Sequence, residues 1–113
     1  MLQFLEFPIF TKRLRALAKE YGDDVLLKIE NDLLENPERG STVAGTGGAR
    51  KARIADPVRK KGKRAGFRYL YYYIERDGQI FFLMIFGKDE QDDLDASQKK
   101  AMRLAILSLE AAK

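Results

Sequence analysis

FRYLYYYIERDGQIFFLMIF, residues 67–86, decides the fold. Phe67 to Ile74 is almost entirely aromatic or β-branched, the make-up of a strand. Asp77-Gly78 follows, a pair favoured in two-residue type I′ hairpin turns because both positions tolerate a positive φ. Ile80 to Phe86 is apolar at every position, as a central strand covered on both faces should be. Upstream, Ala49 to Ala55 alternates in part and reads as a strand, with Arg50, Ala52 and Ile54 on one face. Lys51, Arg53 and Ala55 then share the other. Gln3 to Phe7 reads as a short strand stopped by Pro8.

Three helices complete the chain. Phe10, Leu14, Leu17 and Tyr21 fall on one helical face that ends at Gly22. Asp23 or Asp24 caps a second helix with Leu26, Ile29 and Leu33 as its buried stripe, and Asn36-Pro37 ends it. The two form a helical hairpin. Asp95 and Gln98 make a capping box for a last helix, whose apolar stripe is Met102, Ala105, Ile106 and Leu109. Glu38 to Gly48 is turn-rich, and Asp56 to Gly66 reads as a charged loop. The order β-α-α-β-β-β-α predicts an α+β domain over residues 1–113, a small, mostly antiparallel sheet packed with helices.

Composition excludes several chemistries. The 113 residues contain no Cys and no His, which removes disulfides, thiol nucleophiles, His-dependent triads and the usual zinc sites. The longest apolar run, Ile80 to Phe86, is far short of the ~20 residues that cross a bilayer. No leader-like pattern opens the chain, so a cytoplasmic location without membrane attachment is expected. Gly45-Thr46-Gly47-Gly48 lacks the phosphate-loop spacing, and a turn feeding a strand is the plainer reading. The acids Asp89 to Asp95 match no calcium loop and suit a helix start, so neither metal nor cofactor is expected.

Charge distribution is more telling than the net value of +4. Residues 50–68 hold nine basic side chains against one acid, whereas the remaining chain is net acidic. Lys and Arg gathered in one segment point to a polyanion, because they release counterions from a phosphate backbone. Lys51 and Arg53 leave one face of their strand, Arg68 joins them across the sheet, and the Arg59–Arg64 loop hangs over them. Arg50, Arg59, Lys60, Lys61, Lys63 and Arg64 are the expected nucleic-acid contacts, with Tyr71 and Tyr73 as the rings to stack on bases, while core packing is the better reading for most of the tyrosines.

Read in order, Asn36-Pro37-Glu38-x-Gly40, Gly45-Thr46-Gly47-Gly48-x-Arg50-Lys51-x-Arg53, Gly62-Lys63-Arg64-x-Gly66-x-Arg68-x-x-Tyr71-Tyr72 and Gly87-Lys88-x-Glu90-x-x-Asp93-Leu94 form one pattern. Over nearly the whole chain it resembles the HigB-like branch of the RelE/ParE toxin superfamily. The resemblance implies a RelE-like fold and the toxin of a type II toxin–antitoxin pair. Such a toxin is a metal-independent, ribosome-dependent endoribonuclease that cuts mRNA in the 30S A site by 2′-OH attack and so inhibits translation. It also implies a cognate HigA-like helix-turn-helix antitoxin, and it maps the catalytic basic positions to Lys51, Arg53, Arg68 and Lys88. Two positions depart from the RelE pattern: Asp89 stands where a second basic residue follows Gly-Lys, and Asp95 where a tyrosine opens the last helix. The general acid and base are therefore unassigned. A ParE-like gyrase inhibitor and a non-catalytic RNA- or DNA-binding module are the alternatives.

Such a site works without imidazole, because RNA supplies its own nucleophile. Guanidinium groups suit stabilisation of a phosphorane-like state, since they stay charged and bind phosphate bidentately. Lysine is a harder base, as an ordinary side chain with a pKa near 10.4 is almost wholly ammonium at neutral pH. A ribosome that holds mRNA in line supplies the orientation this constellation lacks.

Overall fold

The apolar run at residues 80–86 becomes strand β5 (Gln79–Gly87), which lies inside the sheet with a neighbour on each side. A computed structural model describes residues 1–58, 66–87, 90–91 and 93–112. The other elements are β1 (Gln3–Glu6), α1 (Pro8–Leu17), α2 (Gly22–Glu35), β2 (Ser41–Thr42), β3 (Arg50–Ile54), β4 (Phe67–Ile74) and α3 (Ala96–Ala111). The sheet order is β1-β5-β4-β3-β2. β1 runs parallel to β5, and every other pair is antiparallel. The α+β class and its element order are as the sequence predicts, apart from the two-residue strand β2.

Both faces of the sheet are covered, which is why β5 needs no polar positions. On one face, Phe10 and Leu14 of α1 and Val25, Ile29 and Leu33 of α2 pack against Ile54, Phe67, Tyr69, Tyr71, Ile80, Phe82 and Ile85. The Phe82 ring stacks on Phe10 at 5.0 Å and on Phe4 at 5.7 Å. On the other face, Met102 and Ile106 of α3, with Leu94, cover Ala49, Leu70, Leu83 and Phe86. Leu70 pairs with Met84 and Tyr71 with Phe82, so Leu83 is an extra residue in β5 at a bulge.

Three local details differ from expectation, the first being that α1 ends at Leu17 rather than at Gly22. The β4–β5 connection is not a two-residue turn. Glu75–Asp77 makes a short 3₁₀ turn, and Gly78 closes it at φ 62°, in the left-handed region where glycine carries no Cβ penalty. Helix α2 begins at Gly22 with Tyr21 as its N-cap, and Asp23 and Asp24 sit within the first turn rather than capping it. There the two carboxylates still complement the helix dipole. Pro8, read as a strand stop, also opens α1, where its missing N–H is no loss. The Asp95–Gln98 capping box forms as the spacing predicts.

The Asn36–Gly40 segment is built as a structural turn. Asn36 Oδ1 accepts from the Glu38 N–H at 3.0 Å, and Arg39 pairs with Asp32 and Glu35. The buried Tyr71 hydroxyl donates to Pro37 O and accepts from the Gly40 N–H, each at 2.9 Å. Burial pushes the Tyr71 phenol up, so it stays protonated and able to donate. Tyr71→Phe is expected to cost about 1–3 kcal/mol, since both backbone groups lose their partner. A lowered denaturant midpoint with an unchanged slope is the result to look for, and an unchanged midpoint contradicts the role. Among the described residues, no helix is long and apolar enough to cross a membrane.

Candidate nucleic-acid interface

The register of β3 against β4 sets the geometry of the site. Arg53 stands directly opposite Arg68, and Lys51 opposite Leu70. Residues opposite one another in antiparallel strands project from the same face, and so do residues two apart in one strand. Lys51, Arg53 and Arg68 therefore share one face of the sheet, the face α3 covers. Arg53 is exposed, the Lys51 side chain is 25% exposed, and Arg68 is buried at 1% exposure. Like charges directly opposed in a sheet are destabilising.

The outer side of β3 is open over half its length. β2 pairs only with Arg50 and Lys51, and no described strand continues past them. A surface depression of about 320 Å³ lies along that edge, lined by Arg39, Ser41, Lys51, Ala52 and Arg53. Three of its five lining residues are cationic.

Among the described residues, Asp93 approaches Lys51 on this face. Asp93 Oδ1 lies 3.3 Å from the Lys51 ammonium and accepts the Leu94 N–H at 2.8 Å. The Leu94 N–H and then Lys51 hold the Asp93 carboxyl below the usual aspartate range, with Lys99 adding to the effect. A group whose pKa falls on folding contributes stability above its unfolded pKa, and loses it as pH drops through the folded one. The Lys51–Asp93 contact therefore persists at neutral pH and is lost as the Asp93 carboxylate is protonated in acid. Carboxyl-detected NMR is expected to give Asp93 a midpoint below that of a free aspartate; a midpoint at or above it contradicts the pairing.

The described residues near Asp93 are held by side-chain bonds. Glu90 accepts from Arg13 Nη2 at 2.5 Å and from the Gly87 N–H at 3.0 Å, while Arg13 Nε donates to Ile85 O. Gln91 and Gln98 exchange side-chain amide hydrogen bonds, and Gln91 also donates to Asp93 O. Asp95, at the position where the RelE pattern has a tyrosine, spends its carboxylate on the Gln98 N–H as a helix cap.

Several expected contacts lie elsewhere. Arg50, Tyr71 and Tyr73 belong to the opposite face and are not brought to the cations. Arg50 donates to Gly40 O at 2.6 Å and pairs with Glu38 at 3.2 Å, supporting the 36–40 turn. Tyr71 is buried, and Tyr73 packs half-buried against the α1–α2 core. The cause is parity, since residues three and five after Arg68 must point away from it. Tyr72 has the right parity but packs toward α3 and donates to Glu110 at 2.9 Å. Thr46 is engaged within its own turn, donating to Val43 O and accepting the Ala49 N–H, as a turn feeding β3 should. Lys88, Arg59, Lys60, Lys61, Lys63 and Arg64 lie outside the described residues. Sequence reasoning missed Asp93 as the partner of Lys51; forty-two positions separate them, and no local periodicity reports such a contact.

No protein-family model matches the chain. Among solved structures, it is similar to the free E. coli toxin RelE carrying two substitutions. They share 16% identity at a TM-score of 0.59, over 92% of this chain and 95% of that one. The isolated E. coli RelE toxin gives 16% identity and 0.56, over 92% and 99%. The intact E. coli RelBE toxin–antitoxin complex gives 18% identity and 0.55, over 77% and 96%. At such identities the likeness is one of fold, and the fold of this chain is that of the RelE toxin.

Proposed function

We propose that the chain is a cytoplasmic, single-domain toxin of a type II toxin–antitoxin system, in the HigB-like branch of the RelE/ParE superfamily. It acts as a ribosome-dependent, metal-independent endoribonuclease on mRNA in the 30S A site. The observation that carries this reading is the alignment of Arg53 with Arg68, with Lys51 two residues along the same face. Three cations so placed match a ribose-phosphate strand, whose charge they neutralise and whose cleavage develops further negative charge on phosphorus-bound oxygens.

In this mechanism the mRNA 2′-OH gives up its proton to solvent as it attacks the adjacent phosphorus, the bond to the 5′ oxygen breaks, that oxygen takes a proton from solvent, and a 2′,3′-cyclic phosphate is left on the upstream fragment. Arg53 and Arg68 stabilise the phosphorane-like state through bidentate hydrogen bonds. Lys51 acts as a charge anchor, in keeping with its contact to a carboxylate. Lys88 and the loop cations Arg59, Lys60, Lys61, Lys63 and Arg64 are assigned to the same strand from sequence alone. Positioning by the ribosome supplies what the face does not, since orientation alone is worth up to ~7–11 kcal/mol in favourable cases. The toxin–antitoxin assembly among the structural neighbours supports an antitoxin partner, which we assign as a HigA-like helix-turn-helix protein that meets the cationic face with acidic or helical segments.

Primer extension on mRNA from a translating extract tests this function. Discrete new 5′ ends that disappear when initiation is blocked are expected. Retention of RNA without cutting assigns a binding module instead, and DNA cleavage complexes without mRNA ends assign a gyrase inhibitor.

A further inference from the structure

The cationic face carries its own anion. Asp93 reaches Lys51 from between β5 and α3, where the described neighbours Glu90, Gln91 and Asp95 are each held by hydrogen bonds to Gly87 or Gln98. Yet the Asp93 side chain itself is 64% exposed. Its carboxylate is thus set against Lys51 but lies open to solvent, so that leaving Lys51 breaks the ion pair and strains one bond to the Leu94 N–H without unpacking a core. We propose that Asp93 is a built-in counter-anion that holds on Lys51 the place of one backbone phosphate, so that a single-stranded ribose-phosphate chain must displace it to bind. The inference rests on the nucleic-acid reading of this face and names what limits its affinity for free RNA.

The chemistry of the exchange is balanced. A carboxylate and a phosphodiester are each monoanionic oxygen acceptors, and Lys51 trades one for the other. Exposed ion pairs are weak, which suits a contact that has to break. Free RNA meets the competition at its own low concentration. A strand held in place by the ribosome meets it at high effective concentration and wins. Asp93 thereby favours positioned mRNA over loose RNA.

Asp93→Asn tests the proposal, since the amide oxygen still accepts the Leu94 N–H while the charge is gone. The readout is binding of a short oligouridylate at low salt by the full-length protein. Affinity is expected to rise about 3- to 10-fold, and the slope of log K against log salt to steepen by about 0.7 for each further phosphate neutralised. Asp24→Asn removes the same charge from the first turn of α2 and is expected to change affinity by less than about 2-fold, since screening limits its reach. In a Lys51→Ala background, Asp93→Asn is expected to give little further gain, because the pair no longer exists. Unchanged or weaker binding by Asp93→Asn, or an equal gain with Lys51 absent, overturns the proposal. If neither the wild-type protein nor any variant binds the oligouridylate, the nucleic-acid reading of the face falls with it.

Discussion

Arg53→Ala is expected to slow mRNA cleavage in a translating extract by about 10²–10³-fold, the loss that follows removal of one preorganised donor to a developing oxyanion. Growth inhibition on expression should vanish with it. Arg53 is exposed on β3 and contributes nothing to either core cluster, so the variant should unfold within about 0.5 kcal/mol of wild type. That separation of activity from stability makes it a cleaner probe than Arg68. Arg68→Ala should lose activity to a similar degree, but Arg68 is buried in the floor of the face, and truncation there also empties volume. Arg68→Lys keeps the charge and most of the volume while removing the planar fork. If bidentate phosphate binding is what Arg68 provides, lysine should not restore activity. A fully toxic Arg53→Ala protein would remove this residue from the site.

The largest effect on stability is expected at Gly66. A Cβ there would lie 2.1 Å from Ile54 O, 2.9 Å from Ala55 Cα and 2.9 Å from the Asp56 nitrogen. All three are backbone atoms, so no rotamer change relieves the overlap. β3 and β4 must separate at the end where Ile54 pairs with Phe67, next to Arg53 and Arg68. Gly66→Ala should therefore destabilise by about 3 kcal/mol or more, the upper end of overpacking costs. Gly47→Ala provides the contrast. Its added carbon has room, with nothing nearer than 3.7 Å, but the residue sits at φ +80°. Backbone strain alone should cost that variant on the order of 1–2 kcal/mol. Equal losses at the two glycines would contradict the steric account, and thermal or denaturant unfolding reads both.

Much of this was legible in the chain because local patterns decide it. The unbroken apolar run at Ile80–Phe86 announced a strand covered on both sides, and β5 is flanked by strands and faced by helices on each side. The alternation in β3 put Lys51 and Arg53 together before any pairing was known. Parity was legible as well. Once Arg68 is placed on the Lys51 face, strict alternation sends Tyr71 and Tyr73 to the other, and Arg50 is excluded by the same rule. Those three assignments followed composition where geometry should have ruled. Other features carried no local signal. The pairing of Tyr71 with the 36–40 turn, and of Asp93 with Lys51, joins residues more than thirty positions apart. Such contacts follow from how layers stack, which periodicity does not encode. β2 is two residues long and is held by its register with β3 rather than by its own propensity.

The chemistry proposed for the face rests on the RNA providing the nucleophile, and one substitution in the RNA tests that most directly. A ribosome complex is assembled on an mRNA carrying a single 2′-deoxy nucleotide on the 5′ side of the mapped cut. The account predicts that cleavage at that bond disappears, while the all-ribose mRNA is cut and its upstream fragment ends in a cyclic phosphate. Undiminished cleavage of the 2′-deoxy mRNA would show that water or a protein group attacks instead, and the roles given to Lys51, Arg53 and Arg68 would be contradicted.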